Sequence, residues 1–141
     1  MVTIGHAAKA AGCKVQTVRY YEQIGILPEP VRTKGNQRLY SKSDIQRLTF
    51  VRHAREMGFP LSAIRDLLSL ADDPGQPCEA ADAIAHEQLE QVERRITHLQ
   101  ALKRELEYMI TQCSGGSIAE CRVIEVLGDH SECINESHRS A

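Results

Sequence analysis

Over the first 70 residues, apolar positions recur at helical spacing in short blocks, each closed by a glycine or a proline. The block IGHAAKAA follows Thr3, a residue able to cap it, and stops at Gly12. The block KVQTVRYYEQIG keeps the same period and stops at Gly25. Two short helices joined at Ala11-Gly12-Cys13 predict a helix-turn-helix, with Ile4, Ala7, Ala8, Val15 and Val18 as its small core. Pro28 and Pro30 then break the helical period. VRTKGNQRLY places Gly35-Asn36 between two short extended segments, which predicts a β-ribbon wing. Ser43 and Gln46 have capping-box spacing (S-D-I-Q) and open a third helix through Leu48, Val51 and Ala54, ending at Gly58. LSAIRDLLSL predicts a fourth, amphipathic helix.

ADDPGQP is a linker of acids, prolines and a glycine. From Glu79 to Gln112 there is neither glycine nor proline. Ala85, Leu89, Val92, Ile96, Leu99, Leu106 and Ile110 follow a seven-residue a/d pattern, interrupted by Lys103 at one d position. The a series of Val92, Leu99 and Leu106 continues onto Cys113, so a thiol stands on the seam at the helix end. The stretch TQCSGGSIAEC then turns to a second thiol, Cys121, followed by the apolar run RVIEVLG and a polar end. The expected fold is mainly α. It has a winged helix-turn-helix head (1–70), a linker (71–78), a long dimerisation helix (79–112), a loop with a short helix (113–128) and a flexible tail (129–141).

Aromatics make up only 4% of the 141 residues and tryptophan is absent, which favours small helical layers over one large core. The net charge of -2 hides an asymmetry. From Met1 to Pro60 there are 10 Lys/Arg against 4 acids, and from Cys78 onward 6 against 12. A basic head on an acidic remainder suggests a module that binds a polyanion. No apolar run approaches the roughly 20 residues of a membrane span, and the first residues lack a signal pattern, so a cytoplasmic protein without membrane contact is expected. The 5 cysteines then read as thiols or metal ligands rather than a disulfide framework. A Gly-rich phosphate loop and a Ser/His/Asp set are both missing, which argues against an enzyme.

The candidate DNA-reading residues fall in three places. The second helix offers Gln16, Thr17, Arg19, Tyr20 and Tyr21, with Tyr21 equally suited to the core. The wing adds Arg32, Lys34, Asn36, Arg38 and Tyr40, and the third helix adds Arg52, His53 and Arg55. Arg and Gln read base edges, while Thr and Tyr hydroxyls bond phosphates. Basic residues interleaved with tyrosines suit a winged helix-turn-helix on a duplex.

The strings TIGHAAKAAGCKVQTVRYYEQIGIL and RTKGNQRLYSKSDIQRLTFVRHAREMGFPLSAIRDLL resemble the MerR family of bacterial transcription regulators. The RYYE string, the RLY wing strand and the GFP-L step carry the resemblance, which extends over about residues 1–125. It implies a homodimer with an antiparallel coiled coil, seated on promoter DNA whose two recognition elements are too far apart. The activated dimer would bend and untwist that DNA so that RNA polymerase engages both elements. It also carries Thr17, Arg19, Tyr20, Tyr21, Arg38, Tyr40, Arg52, His53 and Arg55 over as DNA contacts.

Cys78 and Cys113 stand at opposite ends of the long helical pattern, roughly 50 Å apart at about 1.5 Å per residue. They cannot share an ion within one chain. The antiparallel partner implied by the resemblance would bring Cys78 of one chain to Cys113 and Cys121 of the other, the positions that metal-responsive members use. Three thiolates suit a soft divalent ion. Copper- and gold-type members resemble this loop length but have a non-thiol residue at the Cys78 position. Zinc-type members add a second adjacent thiol and a histidine where this chain has Ser114 to Ile118, and mercury-type loops are slightly longer. Lead(II) or cadmium(II) is therefore favoured, ahead of zinc(II) and mercury(II). The rival reading is a redox or electrophile sensor built on Cys113 and Cys121. His130, Cys133 and His138 read as a polar end, Cys13 as a packed small residue, and His6, His86 and His98 as surface residues.

Overall fold

A computed structural model describes residues 1–113, 115–129 and 131. His130, Cys133 and His138 lie outside the described residues. The chain forms two compact units, Met1–Ala85 and His86–Ala141.

The first unit contains α1 (Ile4–Ala11), α2 (Val15–Gln23), β1 (Val31–Arg32), β2 (Arg38–Leu39), α3 (Lys42–Glu56), α4 (Leu61–Ala71) and the first turns of α5 (Glu79–Gln112). Helix α1 packs on α2 and α3, and α3 packs on α4. Three alanines on one face of α1, Ala7, Ala8 and Ala11, allow close approach. Around them Val18, Ile26, Tyr40, Leu48, Val51 and Ile64 are almost completely buried. Ile4 and Val15, expected in the core, are only partly buried and pack at its edge.

Gly12 ends α1 in the left-handed region at φ 73°. A side chain there would also meet Arg52, whose Nε lies 3.2 Å from the position of a Cβ. The end of α2 is held by arginines from two other helices. Arg47 of α3 donates from Nε to the Ile26 carbonyl at 2.7 Å, and its Nη1 reaches both carboxylate oxygens of Asp72 at 3.0 and 3.1 Å. Arg65 of α4 donates to the Ile24 carbonyl.

The wing is shorter than its sequence suggests. β1 and β2 pair antiparallel over two residues each, Val31 with Leu39 and Arg32 with Arg38. At the turn it is Asn36, at φ 64°, that takes the left-handed conformation, one asparagine tolerates well. Val2 pairs with Tyr40 through two backbone hydrogen bonds of 2.9 and 2.8 Å, which ties the N-terminus to the wing.

Two expected caps differ. Helix α3 begins at Lys42, and its capping box is Ser41 with Asp44, not Ser43 with Gln46. Ser41 Oγ accepts the Asp44 N–H at 3.1 Å, and Asp44 Oδ2 accepts the Ser41 N–H at 2.8 Å. Ser41 is extended, as a cap residue must be, whereas Ser43 is already helical. Thr3 occupies the cap position of α1 but caps nothing, because its hydroxyl lies 3.2 Å from His6 Nδ1 instead.

Helix α5 runs unbroken for 34 residues, the span expected from the absence of glycine and proline. Leu89, Ile96, Leu99, Leu106 and Ile110 are each about half exposed or more, and Val92 is 37% exposed. In the second unit the buried residues of α5 are Ala101, Glu105 and Met109, an i, i+4, i+8 row. At about 100° per residue this row is centred roughly 120° around the helix from Leu99, Leu106 and Ile110, so it forms a separate face. A 3-10 turn over Ile118–Glu120 and α6 (Arg122–Gly128) follow, with Val126 buried. Among the described residues no helix is long and apolar enough to cross a membrane.

Replacing Ser41 with alanine should lower stability to denaturant by about 1 kcal/mol, the usual loss of a cap. Ser43→Ala should stay within about 0.5 kcal/mol, as a surface change does. The opposite ranking would return the cap to Ser43.

Candidate DNA interface and thiol site

Helix α2 presents Gln16, Arg19 and Tyr20 to solvent and Thr17 half-buried. Its Tyr20 is 47% exposed, while the adjacent Tyr21 is 9% exposed. Their rings stand 5.7 Å apart, one on the surface and one in the core. A shallow pocket lined by Thr17, Tyr21, Arg52 and Arg55 opens beside the turn, with the half-buried Cys13 at its edge. Burial pushes the Cys13 thiol upward, against the pull of Arg52. Burial likewise raises the Tyr21 hydroxyl, which Arg55 opposes. On α3, Arg52, His53 and Arg55 are all exposed. Arg52 pairs with Glu56 one turn on at 2.8 Å, and Arg55 donates to the Phe59 carbonyl at 3.4 Å.

In the wing, Arg32 donates to the Asn36 carbonyl at 3.1 Å, and Lys34 is exposed at the turn. Tyr40 departs from the expectation of a DNA-facing phenol. It is 1% exposed, and its hydroxyl donates to Glu22. The reason is strand geometry. Residues two apart share a face, and the face carrying Arg38 and Tyr40 turns toward the end of α2. There Arg38 Nε pairs with Glu22 Oε2 at 3.2 Å. Burial first, then the hydrogen bond to Glu22 and its charge, hold the Tyr40 hydroxyl well above the usual phenol range, with Arg38 and Arg19 opposing. Tyr40 thus stays a protonated donor at any physiological pH.

Glu22 was not among the candidates, although a signal was available. An acid in the last turn of a helix meets an unfavourable macrodipole, so its placement there calls for a specific cationic partner.

The thiols occupy three element ends. Cys78 is exposed and stands immediately before α5, where its carbonyl accepts the Asp82 N–H at 2.9 Å. Cys113 is exposed immediately after α5. Gly115 and Gly116, at φ 81° and 100°, carry the turn. Cys121 is half-buried at the N-cap of α6. The N–H groups of Ile124 and Val123 hold its thiol below the ordinary range, burial opposes them, and a hydrogen bond from Cys113 adds to the lowering. The second unit therefore brings Cys113 and Cys121 together. Among the described residues of one chain, no group of three His, Cys, Asp or Glu side chains could hold a metal ion. Cys78 belongs to the first unit.

A helix-turn-helix, a two-stranded wing and a long helix with an exposed apolar row define a DNA-binding transcriptional regulator. Residues 2–71 match the family described as MerR HTH family regulatory protein, and residues 45–109 match MerR, DNA binding. The chain is 43% identical over 130 residues to the HTH-type transcriptional regulator ZntR of Escherichia coli (strain K12), covering 90% of this chain and 92% of that protein. It is 39% identical over 133 residues to the mercuric resistance operon regulatory protein of Serratia marcescens, covering 93% and 90%. Its structure is similar to the crystal structure of the transcription regulator PbrR691 from Ralstonia metallidurans CH34 in complex with lead(II). That match has a TM-score of 0.79 and 41% identity, and covers 90% of this chain and 99% of the other. The chain belongs to the MerR family.

A lowered thiol keeps its thiolate as pH falls, and the thiolate is the nucleophile. In metal-free, reduced protein, iodoacetamide should modify Cys121 half-maximally at a lower pH than an ordinary, unstructured cysteine in the same buffer. Cys113→Ala should move that midpoint upward. A midpoint at or above that of the ordinary cysteine would contradict the hydrogen bonding described.

Proposed function

We propose that this protein is a metal-sensing, homodimeric regulator that activates a heavy-metal resistance promoter by distorting its DNA. The observation that carries this reading is the contact between Cys113 and Cys121, with Cys121 held toward its thiolate by backbone N–H groups. Two adjacent thiols with anion-favouring surroundings suit a soft ion, and a third donor is needed to complete a trigonal set. Cys78 of the partner subunit supplies it if the apolar rows of two α5 helices pair antiparallel. The names of the relatives support metal response: one is a regulator of mercuric resistance and another was crystallised with lead(II).

Within this reading Cys78, Cys113 and Cys121 hold the ion, which supplies a strong bond between protomers. Lead(II) or cadmium(II) fits three thiolates best. Zinc(II) prefers four N/S donors, and it follows with mercury(II). Thr17, Arg19, Tyr20, Arg32, Lys34, Arg38, Arg52, His53 and Arg55 form the duplex-facing set. Tyr21 and Tyr40 support it from the core. The two heads of the dimer grip one promoter, and a change in their relative orientation alters the twist and bend that RNA polymerase meets. Like the protein's family, this role is non-catalytic.

The same Cys113–Cys121 contact also favours a second reading. A two-electron oxidant such as hydrogen peroxide would join the two sulfurs in a disulfide, the peroxide being reduced to two waters that take up the two thiol hydrogens. That switch does not use Cys78.

Titration of the reduced dimer with lead(II), cadmium(II), mercury(II) and zinc(II) separates the two. Near-ultraviolet thiolate-to-metal bands should saturate near two ions per dimer, with the strongest binding for lead(II) or cadmium(II). Cys78→Ser should abolish them. Bands that survive Cys78→Ser unchanged, or no band with any ion, would sink the three-thiolate site and favour the oxidative switch.

A further inference from the structure

Glu22 lies in the last turn of α2, where the helix dipole opposes a negative charge, and its side chain is only 10% exposed. A carboxylate so placed needs partners that repay its lost hydration. Both of its partners come from β2 and the residue that follows it. Tyr40, itself 1% exposed, donates its hydroxyl to Oε1, and the Arg38 guanidinium pairs with Oε2 at 3.2 Å. One turn earlier on α2 stands the exposed Arg19, near enough for its charge to act on the Tyr40 hydroxyl. The carboxylate thus pairs with an arginine of the wing, and an arginine of α2 acts on the same Tyr40 hydroxyl that the carboxylate holds. The wing's own ladder is short, two residues on each strand, and the Val2–Tyr40 bridge ties it to the N-terminus, whereas the Glu22 carboxylate ties it to α2.

We propose that Glu22 is a positioning residue for DNA recognition: its carboxylate fixes the wing against α2, so that Arg19 and Arg38 meet the duplex as one rigid unit. Glu22 itself touches no DNA in this role. Arg38 Nε lies 3.2 Å from the carboxylate as an ion pair without hydrogen-bond alignment, and its side chain remains 34% exposed, so donors are left for the duplex. Specificity depends on such geometry. A guanidinium fixed in place discriminates between base steps or groove widths, whereas a mobile one neutralises any phosphate equally well. Losing Glu22 should therefore lower selectivity without lowering general affinity. A purely structural clamp would instead lower stability and leave selectivity alone.

This inference rests on the DNA-binding reading. The test starts from a duplex selected by the wild-type protein out of a random-sequence library, measured beside a scrambled duplex of equal length. In Glu22→Gln the side-chain carbonyl still accepts the Tyr40 hydroxyl, but the charge that holds Arg38 is gone. The ratio of selected to scrambled affinity should fall about tenfold, the scale of one well-placed arginine contact. The salt dependence of scrambled-duplex binding should steepen by about one charge, because Arg38 becomes free to pair with phosphate. The melting temperature should stay within a few degrees. Arg38→Gln should cause a similar loss of selectivity, and the double variant should lose no more than either single one.

Unchanged selectivity in Glu22→Gln, or fully additive losses in the double variant, would overturn the proposal. If Glu22→Gln folds poorly, Arg38→Gln decides alone, and unchanged selectivity there overturns it equally. A wild-type protein that selects no duplex would end the DNA-binding reading and take this inference with it.

Discussion

A helix of 34 residues cannot cover its own apolar row. Six large side chains from Leu89 to Ile110 remain substantially exposed along α5. In a pair of such helices each row covers the other, so both sets of side chains leave water. That would yield on the order of 10–20 kcal/mol, given about 1.5–3 kcal/mol per fully buried side chain and the fraction now exposed. Association itself costs roughly 4–15 kcal/mol. Helix pairing alone is thus of the size needed to hold two chains together. In the proposed dimer, bonds from a shared ion to thiols on both chains then act on how two paired helices are arranged, and they shift that arrangement only by what they gain in one over the other.

Much of this architecture could be read from residue order, and the misses share a cause. The bounds of α5 followed from the absence of glycine and proline, a purely local rule. The helix-turn-helix followed from Gly12 and Gly25, also local. The cap of α3 was misplaced by two residues because two serines stand at neighbouring positions, and only backbone conformation distinguishes Ser41 from Ser43. Tyr40 and Glu22 were harder still. Eighteen residues separate them, and their meeting depends on which face of a two-residue strand turns inward. The second apolar face of α5 was hidden because Glu105, an acid, sits in the middle of the Ala101–Met109 row and breaks its hydrophobic pattern.

The thiol loop shows the opposite balance. Its residue types suit soft-ion chemistry by themselves, and the second unit holds Cys113 within hydrogen-bonding reach of Cys121. What sequence could not supply was the reason for the asymmetry between them. Cys121 stands at the N-cap position of α6, where the N–H groups of Ile124 and Val123 hold its thiol below the ordinary range, while Cys113 follows α5.

Gly12 has a consequence for how freely this head can vary. Its positive φ suits a residue without Cβ, and any side chain there would press on Arg52. A substitution would add roughly 1–2 kcal/mol of backbone strain. It would also shift the Arg52 guanidinium, one of the proposed DNA contacts. Most surface positions drift under selection for folding alone, but in the proposed DNA-binding role position 12 is tied both to the backbone turn and to where one guanidinium rests.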